Sequence, residues 1–268
     1  MTLIDTHCHL DFDAFDSDRA EVIARAVGSG VSRMINSSVD LANSVKVVEL
    51  ALQNTEVFAA VGVHPNDSQE WAAESGERLK ALAKHGKTLA IGEIGLDYYW
   101  NKAPKDVQQR VFREQLDVAT KLELPVIVHN REASQDVLQI LLEWQVSLVK
   151  VKSPLATRPG VLHSFSGDKD MAEKAVAANY FIGLTGPLTF KNAKSLQKLA
   201  ADLPLENLLI ETDSPFLTPH PHRGTRNEPA RVRLVAEKLA ELKGLPFNEV
   251  ASATTANAER LFRFGKHQ

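Results

Sequence analysis

The chain has 268 residues, 44% of them hydrophobic and 24% charged, with a formal net charge of −3 and one cysteine, Cys8. That length suits one α/β barrel or two small domains, and the composition supplies a large apolar core, which excludes a disordered chain. The acidic balance excludes a global basic field for polyanions, a single cysteine excludes an internal disulfide, and no apolar run nears the roughly 18 residues of a membrane span.

The sequence opens on Met-Thr-Leu-Ile-Asp-Thr-His-Cys-His, an apolar run that turns polar and sets His7 and His9 two apart. Positions i and i+2 of a strand project to the same face, so the two imidazoles share one space and suit a metal. Cys8 between them faces the other way and is expected to pack rather than ligate. A lone His-x-His describes a solvated terminus equally well, so the rest of the chain must decide. No basic segment, apolar h-region or twin-arginine pattern stands at the start, which predicts a cytoplasmic location with no membrane and no obligate protein partner.

Val22, Ile23, Ala26 and Val27 are spaced for a helix over 18–30, followed by a strand over 32–37 and a helix over 41–53. A strand over 57–63 ends at His64. The alternation continues with helices over 76–85, 104–122, 133–144, 169–178, 192–203 and 228–242. The strands between them cover 88–94, containing Glu93; 124–128, ending at His129; 160–162, ending at His163; 180–184; and 208–212, ending at Asp213. Over 248–264 one or two short helices are expected, with Ala256 to Glu259 as a helix start that packs Leu261 and Phe262 on the barrel. Eight βα units predict an α/β fold, a single (β/α)8 TIM barrel spanning 1–268 with short C-terminal helices. A doubly wound sheet would carry a glycine-rich turn after its first strand, and here histidines stand there. The connection over 145–160 is longer than usual and falls on the face opposite a barrel's active site, so Lys150, Lys152 and Arg158 read as solvated.

Ionisable residues share one address: His7, His9, His64, Glu93, His129, His163 and Asp213 all lie at or near the C-terminal ends of strands. In a barrel these ends form one rim. His85, His220, His222 and His267 read as ordinary surface histidines. Burying so many titratable groups together is costly without compensating cations, and the imidazoles and carboxylates exceed one tetrahedral set. The pattern therefore predicts two divalent metals with Glu93 as the bridging carboxylate, and the glycines on either side of Glu93 let the backbone crowd the metals. The ligand types suit zinc, and mixed His/carboxylate sites tolerate several metals, magnesium and manganese among them.

The segments Asp5-Thr6-His7-Cys8-His9-Leu10, Gly62-Val63-His64-Pro65, Ile91-Gly92-Glu93-Ile94-Gly95-Leu96-Asp97, Val128-His129-Asn130-Arg131, His163-Ser164-Phe165-Ser166-Gly167, Glu211-Thr212-Asp213-Ser214-Pro215 and Arg223-Gly224-Thr225-Arg226-Asn227-Glu228-Pro229 occur in this order. Together the set resembles the TatD family of metal-dependent deoxyribonucleases, within the amidohydrolase superfamily. Thr225 stands where that family leads one to expect a basic residue. The resemblance implies a first metal held by His7, His9, Glu93 and Asp213, a second held by Glu93, His129 and His163, and a DNA substrate, single-stranded or at 3′ ends, cleaved in the 3′ to 5′ direction. On that reading Asp213 and Glu93 are catalytic, Asp213 takes the proton of the metal-activated water, and His64 hydrogen-bonds the scissile phosphate. Arg131, Arg223 and Arg226 offer forked donors to flanking phosphates, and Asn227-Glu228-Pro229 reads as a helix start. The alternative is an amidohydrolase-type enzyme that cleaves a small amide, ester or lactone at the same metals.

Overall fold

The computed structural model describes residues 2–100 and 102–265, so His267 lies outside the described residues. The strands are β1 (Leu3–Cys8), β2 (Val31–Ser37), β3 (Val57–Val61), β4 (Thr88–Asp97), β5 (Val126–Arg131), β6 (Gly160–Leu162), β7 (Phe181–Leu184) and β8 (Leu208–Ile210). They neighbour one another in chain order, every adjacent pair parallel. Parallel pairing forces a crossover between strands. The helices α1 (Arg19–Gly28), α2 (Leu41–Gln53), α3 (Ser75–Leu82), α4 (Lys105–Leu122), α5 (Ser134–Lys150), α6 (Lys169–Ala177) and α7 (Lys194–Asp202) supply it, and α8 (Val232–Lys243) and α9 (Phe247–Phe262) follow β8. The sheet closes just beyond β8, where Asp213 N–H donates to the His7 carbonyl at 2.9 Å and His9 N–H donates to the Ser214 carbonyl at 2.8 Å. This is the (β/α)8 TIM barrel that the alternation predicts.

Two apolar layers hold it. Every strand sends a residue inward, from Ile4 in β1 to Leu209 in β8, and Leu261 and Phe262 of α9 join that inner cluster. These positions precede the ionisable residues at the strand ends, so α9 plugs the N-terminal pole and leaves the other pole to polar side chains. The second layer lies between strands and helices, and it contains Cys8, fully buried as its alternation predicts. A register irregularity between Asp5 and Cys8 lets Ile4 and the two histidines both face the interior.

Several boundaries differ from the sequence reading. Strands β4 and β5 stay paired through Gly95 with His129, Leu96 with Asn130 and Asp97 with Arg131, and so run three residues further than their apolar runs. Gly95 has φ +140 and a Cβ there would meet the His129 carbonyl at 2.1 Å, while a Cβ on Gly92 would meet Ile127 Cβ at 2.7 Å. The glycines beside Glu93 thus admit strand β5 rather than metals. Helix α5 continues to Lys150, which absorbs much of the long 145–160 connection. Lys150 and Lys152 are exposed there, but Arg158 is not: it is 5% exposed and donates to the Leu261 and Glu123 carbonyls at 2.9 and 3.0 Å. Its apolar stem and paired head tie the end of α9 to the turn before β5. Helix α9 begins after Pro246, not at Ala256, because the Asn257 amide donates to the Leu205 and Leu208 carbonyls rather than capping its own helix. No helix among the described residues is long and apolar enough to cross a membrane.

Candidate metal centre

All seven rim residues converge. Three sets bring ligand atoms within 4.8 Å of one another: His7, His9 and Asp213; His7, Glu93 and His163; and His64, Glu93 and His129. His7, His9, Glu93 and His163 are buried, at 0%, 4%, 4% and 6% exposure. Glu93 faces two ways, with Oε2 3.4 Å from His7 Nε2 and Oε1 2.7 Å from His129 Nδ1. That is the placement a bridging carboxylate needs. His163 sits nearer the first group than the resemblance implies: its ring stacks on His7 at 3.5 Å between centroids, and its Nε2 lies 3.5 Å from Asp213 Oδ1.

The second ring nitrogen of each histidine decides what the first can do. His9 Nδ1–H donates to the Ser37 carbonyl at 2.9 Å, and His7 Nδ1 lies 3.2 Å from the Ser37 hydroxyl. His163 Nδ1–H donates to Glu211 Oε2 at 2.8 Å, and His129 Nε2–H donates to Asp97 Oδ2 at 3.1 Å. With the outward nitrogen protonated, the inward nitrogen of the neutral ring carries a lone pair. Those lone pairs face other acceptors: His9 Nε2 lies 3.1 Å from His7 Nε2, and His129 Nδ1 faces Glu93. Acceptors gathered around one space call for cations, so the donor set fits divalent metals.

The electrostatics agree. Burial pushes Glu93 and Asp213 upward, but hydrogen bonds outweigh it, from His129 and His7 on Glu93 and from His163 and His9 on Asp213, and hold both carboxyls well below the usual range. Burial works against charge on His129 too, yet Asp97 and Glu93 raise it to about 9. His9 and His163 are likewise raised against burial, chiefly by Asp213 and by Glu211. His7 is lowered by burial and by the neighbouring His163. The cluster wants positive charge, which protons or metals can supply.

His64 differs from the others. Its Nδ1 accepts from the Asn66 amide at 3.2 Å, so its proton sits on Nε2, which points at Glu93 from 3.9 Å. Burial and then His129 lower it to about 3, so the ring is neutral. A protonated Nε2 cannot ligate but can donate into the site.

Similarity to known proteins follows this geometry. The profile of TatD related DNases matches residues 4–263. The chain belongs to the TatD family. It is a metal-dependent hydrolase, 44% identical over 261 residues to the uncharacterized metal-dependent hydrolase YabD of Bacillus subtilis, covering 97% of this chain and 99% of that one. It is 35% identical over 266 residues to the 3′-5′ ssDNA/RNA exonuclease TatD of Citrobacter rodentium, covering 97% of each chain. The crystal structure of the TatD homologue YjjV from Escherichia coli superposes with a TM-score of 0.89 at 33% identity, covering 97% of this chain and 98% of that one.

The sequence reading passed over the residues that orient the TatD-type histidines. Asp97, Glu211 and Ser37 are buried at 1%, 0% and 0% exposure. Asp97 and Glu211 are acids at strand ends inside the motifs quoted above, and that address was the available signal. Ser37 carried none. Among the expected phosphate-binding arginines, Arg226 is committed elsewhere: both terminal nitrogens reach Asp18, at 2.8 and 2.7 Å, and one also donates to the Ala14 carbonyl. Arg131 is exposed beside Tyr99, its guanidinium carbon 4.1 Å from the ring centroid, and Arg223 lies over Phe190 at 4.1 Å. Asn227 is buried, with its amide donating to the Thr212 and Phe216 carbonyls, and so ties the strand β8 end to its loop rather than capping α8.

Proposed function

We propose that this chain is a divalent-metal-dependent deoxyribonuclease that removes nucleotides from single-stranded DNA in the 3′ to 5′ direction, with two cations in the site. The observation that carries the reading is the row of inward lone pairs and carboxylate oxygens around Glu93, whose two oxygens face opposite groups of histidines. His7, His9, Glu93 and Asp213 would hold one cation, and Glu93 and His129 the other, with His163 stacked on His7 and 3.5 Å from Asp213. Divalent cations there would acidify a bound water and neutralise charge on the phosphoryl group.

Asp213 is the proton acceptor. Its Oδ1 is 3.4 Å from His9 Nε2, 3.5 Å from His163 Nε2 and 3.6 Å from His7 Nε2, and in the metal-free cluster burial raises its carboxyl while hydrogen bonds from His163 and His9 hold it well below the usual range. His64 Nε2–H donates to a non-bridging phosphoryl oxygen, and its neutrality lets it do so without forming an ion pair with Glu93. Arg131 and Arg223 take flanking phosphates. The exonuclease name of the 35% identical relative supports substrate class and direction.

The test is hydrolysis of end-labelled single-stranded DNA by metal-reconstituted protein, alongside Glu93→Ala and a panel of small esters and lactones. A ladder from the 5′-labelled strand, absent with the variant and with chelator, is the expected result. A wild type inert on DNA but active on esters would overturn the reading in favour of a small-ester hydrolase at the same metals.

A further inference from the structure

Among the described residues, the large hydrophobic side chains left exposed are aliphatic except for three, Tyr99, Trp100 and Phe216, at 50%, 54% and 52% exposure. Aromatic rings bury the most area per residue and are normally spent in the core, so three such rings left in water need a reason. All three lie on the metal-bearing rim. Tyr99 and Trp100 follow directly on β4, two and three residues past Asp97, and Phe216 follows Asp213 by three. In an eight-stranded barrel β4 and β8 lie across the mouth from each other, with the histidine cluster between.

The β4 side is the better built. Tyr99 and Trp100 meet edge to face, centroids 5.0 Å apart at 85°. Arg131, at the end of the paired strand β5, places its guanidinium 4.1 Å from the Tyr99 centroid and 5.3 Å from that of Trp100. The Asp97 carboxylate accepts from the Tyr99 and Trp100 amides at 3.0 Å each, and Tyr98 N–H donates to the Arg131 carbonyl at 2.9 Å. The backbone under the rings is therefore fixed by the same Asp97 that orients His129. Two half-exposed aromatic faces and a planar cation, carried on this fixed backbone at the edge of the histidine cluster, match the chemistry of an unpaired nucleobase and its phosphate.

We infer that Tyr99, Trp100 and Arg131 form a stacking shelf that receives one unpaired base next to the scissile phosphate and thereby confines the enzyme to unpaired strands; this rests on the nuclease reading above. A base inside a duplex has no free face to offer the shelf. Phe216, 6.4 Å from the His9 ring and 6.0 Å from Phe12, supports the strand on the far side of the mouth.

The experiment crosses Trp100→Ala and Trp100→Phe with oligonucleotides that carry either a normal base or an abasic sugar at each of the first three positions from the 3′ end. At one position the wild type is expected to lose on the order of tenfold in kcat/KM when the base is removed, chiefly through KM. Trp100→Ala loses a similar factor on the normal strand and nothing further on the abasic one, and Trp100→Phe restores the difference. In parallel, oligo-dT added to chelator-treated protein quenches tryptophan fluorescence in the wild type and not in Trp100→Phe. Additive losses at all three positions, with no quench specific to Trp100, would overturn the shelf while leaving the nuclease intact. Quenching and base dependence of binding without any DNA cleavage would keep the shelf and overturn the nuclease reading. Neither quench nor cleavage would overturn both.

Discussion

Replacing Asp97 by asparagine should cripple the metal centre while leaving the barrel folded, and the geometry fixes why. Asp97 Oδ1 accepts the Tyr99 and Trp100 amides at 3.0 Å, while Oδ2 accepts His129 Nε2–H at 3.1 Å. The introduced carboxamide must keep its oxygen on the two amides, because turning the side chain round would set an NH2 group against two N–H donors and forfeit two hydrogen bonds, about 1 kcal/mol each with desolvation added. Its NH2 then faces His129 Nε2–H, donor against donor. The imidazole relieves this by moving its proton to Nδ1, the atom 2.7 Å from Glu93 Oε1. That proton satisfies Glu93 and removes the lone pair a metal needs. Losing the orienting partner of a ligating histidine costs about 10- to 100-fold in metal affinity, roughly 1.4–2.7 kcal/mol. Competition with a chelating dye measures it, thermal melting of chelator-treated protein shows that the fold persists, and Asp97→Glu should recover part of the loss. An Asp97→Asn variant that binds metal and turns over like the wild type would refute the tautomer argument.

Three further outcomes follow from other parts of the molecule. His129 is raised to about 9 in the metal-free cluster by Asp97 and Glu93 against burial, so near pH 7 it enters binding protonated and metal expels that proton. Affinity then falls as pH falls below about 9, by about one log unit per pH unit, and calorimetry in buffers of different ionisation enthalpy should show that proton release; a pH-independent affinity would contradict it. Phe262→Ala empties the plug of the N-terminal pole, where Phe262 is 1% exposed, and should cost about 3–5 kcal/mol in urea unfolding with the metal site intact in the protein that remains folded. Arg226→Gln breaks its fork on Asp18 and should leave KM for an oligonucleotide within about twofold, whereas Arg131→Gln should raise KM several-fold; the reverse ranking would return Arg226 to substrate binding.

The barrel was legible because its signal is local: each strand is an apolar run, each helix an amphipathic stretch, and the parallel order follows from their alternation. The metal-facing residues were legible for the same reason, since an ionisable group ending an apolar strand needs only its own neighbours to be noticed. What supports them was not. Asp97 meets His129 through the register of β4 on β5, and Glu211 meets His163 across β7, pairings that neither segment announces alone. Arg226 and Asp18 are 208 residues apart, and a fork of arginine donors looks the same in sequence whether it awaits a phosphate or already holds a carboxylate. Arg158 misled for a related reason: its two terminal nitrogens donate to backbone carbonyls, partners that carry no sequence signature.

The place where the barrel closes is also the place where the candidate ligands gather. Strand β8 is three residues long, and the seam to β1 is made by the segment after it, through Asp213 N–H on the His7 carbonyl and His9 N–H on the Ser214 carbonyl. Asp5 reinforces it, accepting Thr212 N–H at 2.9 Å and Thr212 Oγ1–H at 2.5 Å, and Thr6 Oγ1–H lies 3.2 Å from both the Ile210 carbonyl and Glu211 Oε1. Asp213 itself has φ 56, a left-handed conformation that the closed seam holds in place. Residues 5–9 and 210–214 therefore stitch the cylinder shut and present three of the expected ligands, His7, His9 and Asp213, in one movement. Closing the sheet and placing these three residues use the same hydrogen bonds, so a sequence that keeps them in place keeps the seam, and a cation held across β1 and the β8 loop would tighten that joint of the barrel.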